Sequence, residues 1–594
     1  MTGAIEDHAL LSDTESAALV DRDGTIDWLT FPRFDSPACF ASLLGGPEHG
    51  RWRIGPAGEA LRVERRYRPG TLVLETTTTT PDGTIRVVDC MPVRDGVLQV
   101  VRLVQGVSGR VPVDVDLVVR PDYGSIVPWV RRTARGLSFV AGPDGLNLTS
   151  PVPLEADGWS HRARVEVAAG DELGFELAWH PSAMATPPAS DPVAAVARTT
   201  AWWERWSARS QAPGPWEDVV TSSLTVLKGL TYAPTGGMVA APTTSLPELL
   251  GGSRNWDYRY CWLRDATYTL LALMQAGHTD EARAWREWLL RAVAGRPDQV
   301  QIMYGCAGER RLPEWEVPWL PGYAGSQPVR VGNGAHGQLQ LDVYGEVLDA
   351  LHQAAESGLA DPDGATWPLA TALVDHLAEI WRQPDDGIWE VRGGSRQFTH
   401  SKVMAWVALD RALRWADRPG LEAPTARWHA VRDEIRADVL AHGVDDRGVF
   451  VQAYGTTALD ASVLLVPLVG FLPPDDPRVV ATVEAIQREL TEDGFVLRYR
   501  PEHTDDGLPG GEGVFLLCSF WLVDALAVMG RRDEAVALYE RLVGLRNDVG
   551  LLAEEWDPST GRMLGNMPQA FSHIGLVSSA LLLTGQGAQR HTTP

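Results

Sequence analysis

Four segments of the sequence bring acidic residues together with tryptophan or glycine. They are 255–265 (NWDYRYCWLRD), 385–392 (DDGIWEVR), 508–515 (LPGGEGVF) and 552–557 (LAEEWD). Two well-separated carboxylates between aromatic walls are what glycoside hydrolysis needs, because one protonates the leaving oxygen while the other activates water or attacks carbon. A single loop glutamate is more often solvated or caps a helix, so the four segments point to this chemistry only when taken together.

The sequence contains no motif for phosphate binding, for a serine nucleophile or for a metal site. No glycine-rich loop ends in the Lys-Ser/Thr pair that cradles phosphate, and the Gly-x-Ser-x-Gly nucleophile motif is absent. The cysteines are odd in number and scattered, which fits neither a zinc site nor a disulfide framework: Cys39, Cys90, Cys261, Cys306 and Cys518. The sequence therefore predicts no metal and no cofactor.

The charge of the chain narrows the class of partner. Its 594 residues carry 53 Lys+Arg against 77 Asp+Glu, a net charge of -24. An acidic surface repels nucleic-acid phosphates and anionic lipid, so neither nucleic acid nor membrane is expected as a partner. The first residues, MTGAIEDHALL, lack the basic and apolar regions of a signal peptide, and no run of about 18 apolar residues follows. These features predict a cytoplasmic protein that acts on a small molecule.

The spacing of apolar residues, which predicts the strands and helices that position the four segments, changes near residue 190. Before it, period-2 runs between turn signals predict an antiparallel β-sandwich over 1–190. Its predicted strands lie at 71–78, 84–89, 98–104, 113–119, 137–140, 164–168 and 172–179. A proline after an aspartate cap then predicts a helical linker over 191–214.

From 215 to 594 the apolar residues recur at helical spacing. The predicted helices lie at 215–230, 265–277, 279–295, 338–357, 364–382, 399–417, 424–441, 457–468, 476–489, 513–530, 532–546 and 570–585. Their pairing favours a toroid of six inner and six outer helices, whose long loops build a site at one end. A plain helical bundle or a solenoid is the alternative, and the lack of a repeat of about 34–45 residues argues against the solenoid.

Five segments carry a resemblance that spans essentially the whole chain. YRYCWLRDA (258–266), DDGIWE (385–390), LAEEWD (552–557) and PQAFSHIGL (568–576) stand in the same order as the motifs of glycoside hydrolase family 15, the glucoamylase family. The opening segment 21–40 (DRDGTIDWLTFPRFDSPACF) resembles the N-terminal part of its bacterial members. The resemblance implies an N-terminal β-sandwich, a helical linker and an (α/α)6 barrel as the catalytic domain.

The resemblance also implies roles for individual residues. Glu390, which follows Trp389, matches the general acid, and Glu554 matches the base that activates water, with its neighbour Glu555 as the alternative base. Inversion would place the acid and the base about 6.5–9.5 Å apart. The remaining matches are substrate-binding residues, among them Trp389. Arg264 and Asp265 match the pair that holds sugar hydroxyls, Tyr258 matches an aromatic residue near the water, Trp262 matches a wall of the same subsite, and Ser572 matches a hydroxyl that hydrogen-bonds the base.

Three further assignments are less sharply fixed by the motifs. Either Arg498 or Arg500 resembles an arginine that contacts the second sugar. Glu512 is expected to line the pocket or to cap a turn. The aromatic residues of 314–323 (EWEVPWLPGY) are expected to form a lid or a wall of the site.

The function that these expectations imply is that of an inverting, exo-acting α-glucoside hydrolase. It would release β-glucose from the non-reducing end of a small α-glucoside such as trehalose or a malto- or isomalto-oligosaccharide. Two alternatives are a sugar phosphorylase, in which phosphate replaces the water and no base is needed, and a non-catalytic sugar-binding protein on the same fold. The presence of both Glu390 and Glu554 favours the hydrolase.

Overall fold

The structure is a computed structural model. It describes residues 3–93, 96–359, 364, 366–418, 420–504 and 506–585, and for residues 265–267 it describes the main chain only. Among the described helices, none has both the length and the apolar character needed to cross a bilayer.

In its described residues, the N-terminal part of the chain is an antiparallel β-structure of fifteen strands. They are β1 (Ala9–Ser12), β2 (Ala17–Val20), β3 (Thr25–Thr30), β4 (Ala38–Ala41), β5 (Arg51–Pro56), β6 (Arg62–Tyr67), β7 (Leu74–Thr80), β8 (Gly83–Cys90), β9 (Leu98–Val118), β10 (Trp129–Thr133), β11 (Gly136–Ala141), β12 (Asp144–Thr149), β13 (Glu155–Asp157), β14 (Ser160–Ala168) and β15 (Glu172–Pro181). Alternate residues of a strand face opposite sides, which is why Val111, Val113 and Val115 are buried.

The long strand β9 joins the two layers of this β-structure. Its first half pairs with β8 and β15, and its second half pairs with β5 and β14. Strands β1–β5, β13 and β14 belong to one layer, and β6–β8, β10–β12 and β15 belong to the other. The predicted sandwich is therefore present, with one strand of 21 residues common to both sheets.

A single helix, α1 (Pro192–Ser207), leads from the sandwich to the helical domain. Asp191 caps it by accepting the main-chain N–H groups of Val193 and Ala194, and Pro192 occupies the first turn, where its missing N–H costs nothing. The buried Trp206 donates its indole N–H to Glu281, which lies in the helix Thr279–Ala292 of the helical domain. The linker is thus packed against the helical domain.

Twelve further helices make up the C-terminal domain within the described residues. They are α2 (Glu217–Gly229), α3 (Leu263–Gln275), α4 (Thr279–Ala292), α5 (Asp342–Glu356), α6 (Thr366–Ile380), α7 (Thr399–Ala416), α8 (Thr425–His442), α9 (Leu465–Leu468), α10 (Pro477–Glu489), α11 (Leu516–Val528), α12 (Arg532–Val543) and α13 (Ala570–Leu583). Helices α3, α5 and α7 contact in series, as do α9, α11, α13 and α3, and the 3₁₀ turn Ala461–Leu464 closes the ring between α7 and α9. The other six helices pack outside this ring. The predicted toroid is confirmed.

One predicted helix differs from its expectation. The segment 457–468 forms a 3₁₀ turn, Ala461–Leu464, followed by the short helix α9. Asp460 caps the turn by accepting the N–H of Ser462, and Pro467 has no N–H to continue an α-helical ladder. The inner ring is therefore completed by little more than one turn of α-helix at this point.

The sandwich touches the barrel behind the loop that leads into α3. The fully buried guanidinium of Arg259 forms an ion pair with Asp257 at 2.7 Å. It also donates to the carbonyl of Ser36 and the hydroxyl of Tyr123, each at 2.8 Å, and both of these residues belong to the N-terminal domain. These hydrogen bonds from Arg259 to the N-terminal domain stabilise the loop that carries Tyr258 and Trp262.

Candidate active site

One cavity collects side chains from all four of the acidic segments. It lies where the long loops of the barrel meet. Its lining residues are Ala240, Glu248, Arg254, Trp256, Tyr258, Trp262, Arg264, Asn333, Ala335, Trp389, Glu390, Val391, Arg392, Arg498, Tyr499, Asp506, Leu508, Phe515, Glu554, Gln569 and Phe571. Both predicted catalytic glutamates are among them.

Glu390 ends a tight turn whose main chain adopts an uncommon conformation. Its φ of 52° lies in the left-handed region, which costs a non-glycine residue about 1–2 kcal/mol. Its carboxylate is partly exposed, and Oε1 accepts hydrogen bonds from Trp262 Nε1 at 3.1 Å and Arg264 Nη1 at 3.2 Å. Both donors end on the same oxygen, so Oε2 is left without a donor among the described residues.

Glu554 is almost fully buried, at 1% exposure. Burial and the nearby charge of Glu248 together raise the pKa of its carboxyl to about 8, while Arg498 and the Tyr258 hydroxyl oppose the shift. Oε2 accepts no hydrogen bond from the described residues. The neighbouring Gly565 has a φ of 74°, and a Cβ at that position would lie 2.5 Å from this oxygen. The chain therefore keeps a small residue beside the free oxygen.

Glu555, the alternative base, has a different environment. It is fully buried outside the cavity, and its Oε2 accepts the main-chain N–H of Gly513 at 2.8 Å. It begins a short strand, Glu555–Asp557, that pairs with Val514–Phe515. The structure thus brings Glu554, rather than Glu555, to the cavity that contains Glu390.

Arg498 is one of the arginines that line the cavity. Its Nη2 donates to Glu248 at 2.8 Å and its Nε donates to Glu512 at 3.0 Å. Arg500, the alternative in the predicted pair, points away and donates its Nε to the Glu489 carbonyl at 2.8 Å. The expectation that Glu512 lines the pocket is wrong, because this buried carboxylate pairs with Arg498 and Arg254 beneath the cavity.

Aromatic side chains, among them Tyr258, Trp262 and Trp389, line the cavity. The rings of Tyr258 and Trp262 meet edge to face at 5.4 Å between centroids. Trp389 packs edge to face against Phe515 at 5.5 Å and donates its indole N–H to the buried Asp460 at 3.0 Å. Because these contacts are all within the protein, the rings are already oriented before a sugar binds.

Arg264 lies against the acid. Its guanidinium lies 4.9 Å from the Phe571 ring centroid, and Nη1 also donates to the Ile388 carbonyl. The side chain of Asp265 lies outside the described residues. Ser572 does not contact the carboxylate of Glu554; its hydroxyl instead donates to the Ala553 carbonyl at 2.7 Å. It therefore holds the main chain one residue before the base.

The expected lid of aromatic residues is also wrong. Trp315 and Trp319 are about two-fifths exposed, and neither lines the cavity. Trp319 donates its indole N–H to the Tyr123 carbonyl at 2.9 Å, and the Tyr323 hydroxyl donates to the Gly3 carbonyl at 3.0 Å. These aromatic residues therefore contact the N-terminal domain rather than the site.

Two groups of described residues bring three metal-ligating atoms within 4.8 Å of one another. Glu248, Glu512 and Glu555 surround the guanidinium of Arg498, so a cation already lies among these three carboxylates. In the sandwich, His8 pairs with Asp27 at 2.9 Å beside Asp21, and these carboxylates help to raise the pKa of His8 to about 9. A protonated histidine balances that second group.

Several cavity residues were not identified from the sequence. Trp256 lies in the predicted segment 255–265, and Arg392 stacks on its ring at 4.3 Å. Glu248 and Arg254 precede that segment, in a loop with no aromatic residue and no acid-base spacing. Nothing in their local pattern marks them, because they reach the site only through contacts with residues about 250 positions later.

Comparison with known proteins identifies the family of this chain. Residues 214–581 match the family model described as Glycosyl hydrolases family 15, and residues 1–192 match the model described as Trehalase-like, N-terminal. The chain is 42% identical over 610 residues to a protein from Mycobacterium tuberculosis named trehalase, which covers 97% of this chain and 89% of that protein. A protein of the same name from Thermoplasma volcanium is 34% identical over 587 residues, covering 97% and 93%.

The solved structures give the fold independently. A crystal structure of a bacterial glucoamylase complexed with acarbose matches with a TM-score of 0.73 at 14% identity, covering 99% of this chain and 95% of that one. At this identity the likeness concerns the fold, and it confirms the predicted sandwich, linker and (α/α)6 barrel. With the family model spanning residues 214–581, this chain belongs to glycosyl hydrolase family 15 and is a glycosidase.

Proposed function

We propose that this protein is an inverting trehalase, which hydrolyses trehalose by attack on one of its two anomeric carbons. The observation that carries the reaction type is the pair of carboxylates, Glu390 and Glu554, that line one cavity from different loops. The relatives named trehalase, which match along almost the whole chain, support trehalose as the substrate.

In this mechanism Glu390 is the general acid. Trp262 and Arg264 donate to its Oε1, so the transferable proton resides on Oε2. As the bond between the anomeric carbon and the glycosidic oxygen breaks, this proton passes to the leaving oxygen. The two donors then stabilise the carboxylate that forms, because hydrogen bonds to a charged group are stronger than those to a neutral one.

Glu554 is the general base on the opposite face of the sugar. Its free Oε2 accepts a proton from water, and the water oxygen bonds to the anomeric carbon as the leaving sugar departs. The separation of about 6.5–9.5 Å that inversion requires leaves room for that water. Burial beside Glu248 raises the pKa of Glu554, which makes its carboxylate a stronger base once it is ionised.

Exo action is supported by the polar residues of the cavity. Arg254, Arg392 and Arg498 line it together with carboxylates and aromatic faces, which suits the hydroxyls and C–H faces of a small sugar. A site built to hydrogen-bond particular hydroxyls rejects analogues that lack them, since its buried polar groups would be left unpaired.

The stereochemistry of the products tests the mechanism. Water attacks one ring with inversion and gives β-glucose, while the other ring leaves with its α configuration intact. Proton NMR of the anomeric signals, recorded before mutarotation, should therefore show equal amounts of α- and β-glucose from trehalose. A double-displacement mechanism would give α-glucose alone, and that result would contradict the roles of Glu390 and Glu554.

A substrate panel tests the rest of the proposal. Trehalose, maltose and isomaltose should be compared at equal concentration, with and without phosphate, and trehalose should be hydrolysed fastest. Formation of glucose 1-phosphate would indicate a phosphorylase instead. Binding of trehalose without turnover, measured by calorimetry, would indicate a sugar-binding protein.

A further inference from the structure

The loop that carries Glu248 is held in place from two other parts of the site. The main-chain N–H of Glu248 donates to the Arg254 carbonyl at 3.1 Å, and its carbonyl accepts the N–H of Gly513 at 3.2 Å. Gly565, the small residue beside Glu554, donates its N–H to the Pro247 carbonyl at 2.8 Å. The main chain that carries Glu248 is therefore held in place by the protein itself.

The carboxylate of Glu248 is only half satisfied by the protein. Oε2 accepts the Arg498 hydrogen bond at 2.8 Å, but Oε1 is buried and accepts none from the described residues. A buried acceptor without a donor is costly, so such an oxygen in a cavity calls for a donor from a ligand.

Charge balance does not explain this carboxylate. Arg498 already has Glu512 as its partner, through both Nε and Nη2. The remaining nitrogen, Nη1, donates to none of the described residues. An acceptor, Glu248 Oε1, and a donor, Arg498 Nη1, thus belong to two paired side chains that line one cavity.

Sugars present the complement of this pair. A vicinal diol offers a hydroxyl that donates and a neighbouring hydroxyl that accepts. Building on the proposed hydrolase function, we propose that Glu248 is a substrate-binding residue, whose Oε1 accepts a sugar hydroxyl while Arg498 Nη1 donates to the adjacent one. Glu248 would then select among sugars by the position of one hydroxyl group, a role that neither the acid nor the base performs.

A double-mutant cycle between protein and substrate tests this role. The substrates are trehalose and its symmetrically dideoxygenated forms, each lacking the same hydroxyl on both rings, because a form altered on one ring could bind in the reverse direction. The protein variants are Glu248→Ala and, as a matched control, Glu75→Ala. Glu75 is also a buried carboxylate paired with two arginines, but it lies in the sandwich.

The expected result is a loss specific to one hydroxyl. Glu248→Ala should lower kcat/KM on trehalose by about 10- to 100-fold, the worth of a hydrogen bond to a charged group. On one dideoxy substrate the wild type should show a comparable loss, and Glu248→Ala should show almost no further loss. Glu75→Ala should leave the ratios between substrates unchanged.

The proposal is overturned if Glu248→Ala lowers activity by the same factor on every substrate. Should that variant fail to fold, Glu248→Gln replaces it, since it keeps the volume and one acceptor but loses the charge. The preference for trehalose over one dideoxy form should then fall at least about threefold, and unchanged preferences would again overturn the proposal. If the wild type instead hydrolyses another α-glucoside, the trehalase proposal fails, and the same cycle with deoxy forms of that sugar still tests Glu248.

Discussion

Replacing Arg498 by methionine removes a positive charge that lies within 4 Å of three buried carboxylates. In the described structure its guanidinium lies 2.8 Å from Glu248, 3.0 Å from Glu512 and 3.7 Å from Glu555. Methionine keeps much of the side-chain volume, so the change is chiefly electrostatic. Breaking a buried pair by removing one partner costs about 3–5 kcal/mol, because the other charge stays buried and uncompensated.

This loss of stability should depend on pH. Burial already raises the pKa of Glu248 and of Glu555, and removing Arg498 raises both further. An acid whose pKa is raised on folding binds its proton more tightly in the folded state, so stability falls as pH rises through that pKa. Arg498→Met should therefore be nearly as stable as the wild type at about pH 5 and much less stable at about pH 8.

Calorimetry across this pH range measures the effect. For the barrel, a loss of about 3–5 kcal/mol corresponds to a fall in Tm of about 5 °C at the higher pH. Arg500→Met is the matched control, since Arg500 is partly exposed and lies 3.5 Å from an exposed Glu492, a contact worth about 0–1 kcal/mol. It should keep both Tm and turnover. A larger loss in Arg500→Met, or a loss in Arg498→Met that is independent of pH, would refute the reasoning.

Three further predictions concern the acid and the base. Glu554→Gln should lower kcat by about 10²–10⁴-fold, whereas Glu555→Gln, which lies outside the cavity, should keep more turnover. If steady-state kinetics rank the two variants in the reverse order, Glu555 is the base. Because the pKa of Glu554 is raised to about 8, kcat/KM should increase with pH as this base ionises, and a profile that is flat from about pH 6 to 9 would contradict that assignment. Trp262→Phe removes the indole donor to Glu390 Oε1 and should lower kcat by about tenfold with little change in Tm; an unchanged kcat would show that the bond does not assist the acid.

The fold could be predicted from the sequence wherever apolar residues recur with a clear period. Except for the four-residue α9, the inner and outer helices are long enough for that period to show, and each of them was expected near its observed position. The first strands were not predicted, because every residue of β1, β2 and β4 is buried. A strand buried on both faces has no alternation of polar and apolar residues, so its pattern does not distinguish it from other apolar segments.

Some residues of the site could be predicted from sequence motifs, and others could not. Glu390 and Glu554 lie in motifs that the family resemblance marks, and the structure brings both to the cavity. Glu248 could not be found, because its role depends on pairing with Arg498, which lies 250 positions later in the chain. Glu512 was misplaced for the same reason: its GGEG segment is consistent with a pocket loop, and only the packed structure turns its carboxylate toward two arginines beneath the cavity.

Through the buried contacts of Arg259, the loop of the candidate active site depends on the N-terminal domain, which is synthesised first. The sandwich emerges from the ribosome first, so Ser36 and Tyr123 are available before the loop that Arg259 anchors has been synthesised. A barrel transplanted without its sandwich would keep only Asp257 for this guanidinium, and it would lose the support behind Tyr258 and Trp262. The catalytic helices are therefore not a portable module, and an engineered fusion or a truncation that aims to keep hydrolysis must carry both parts of the chain.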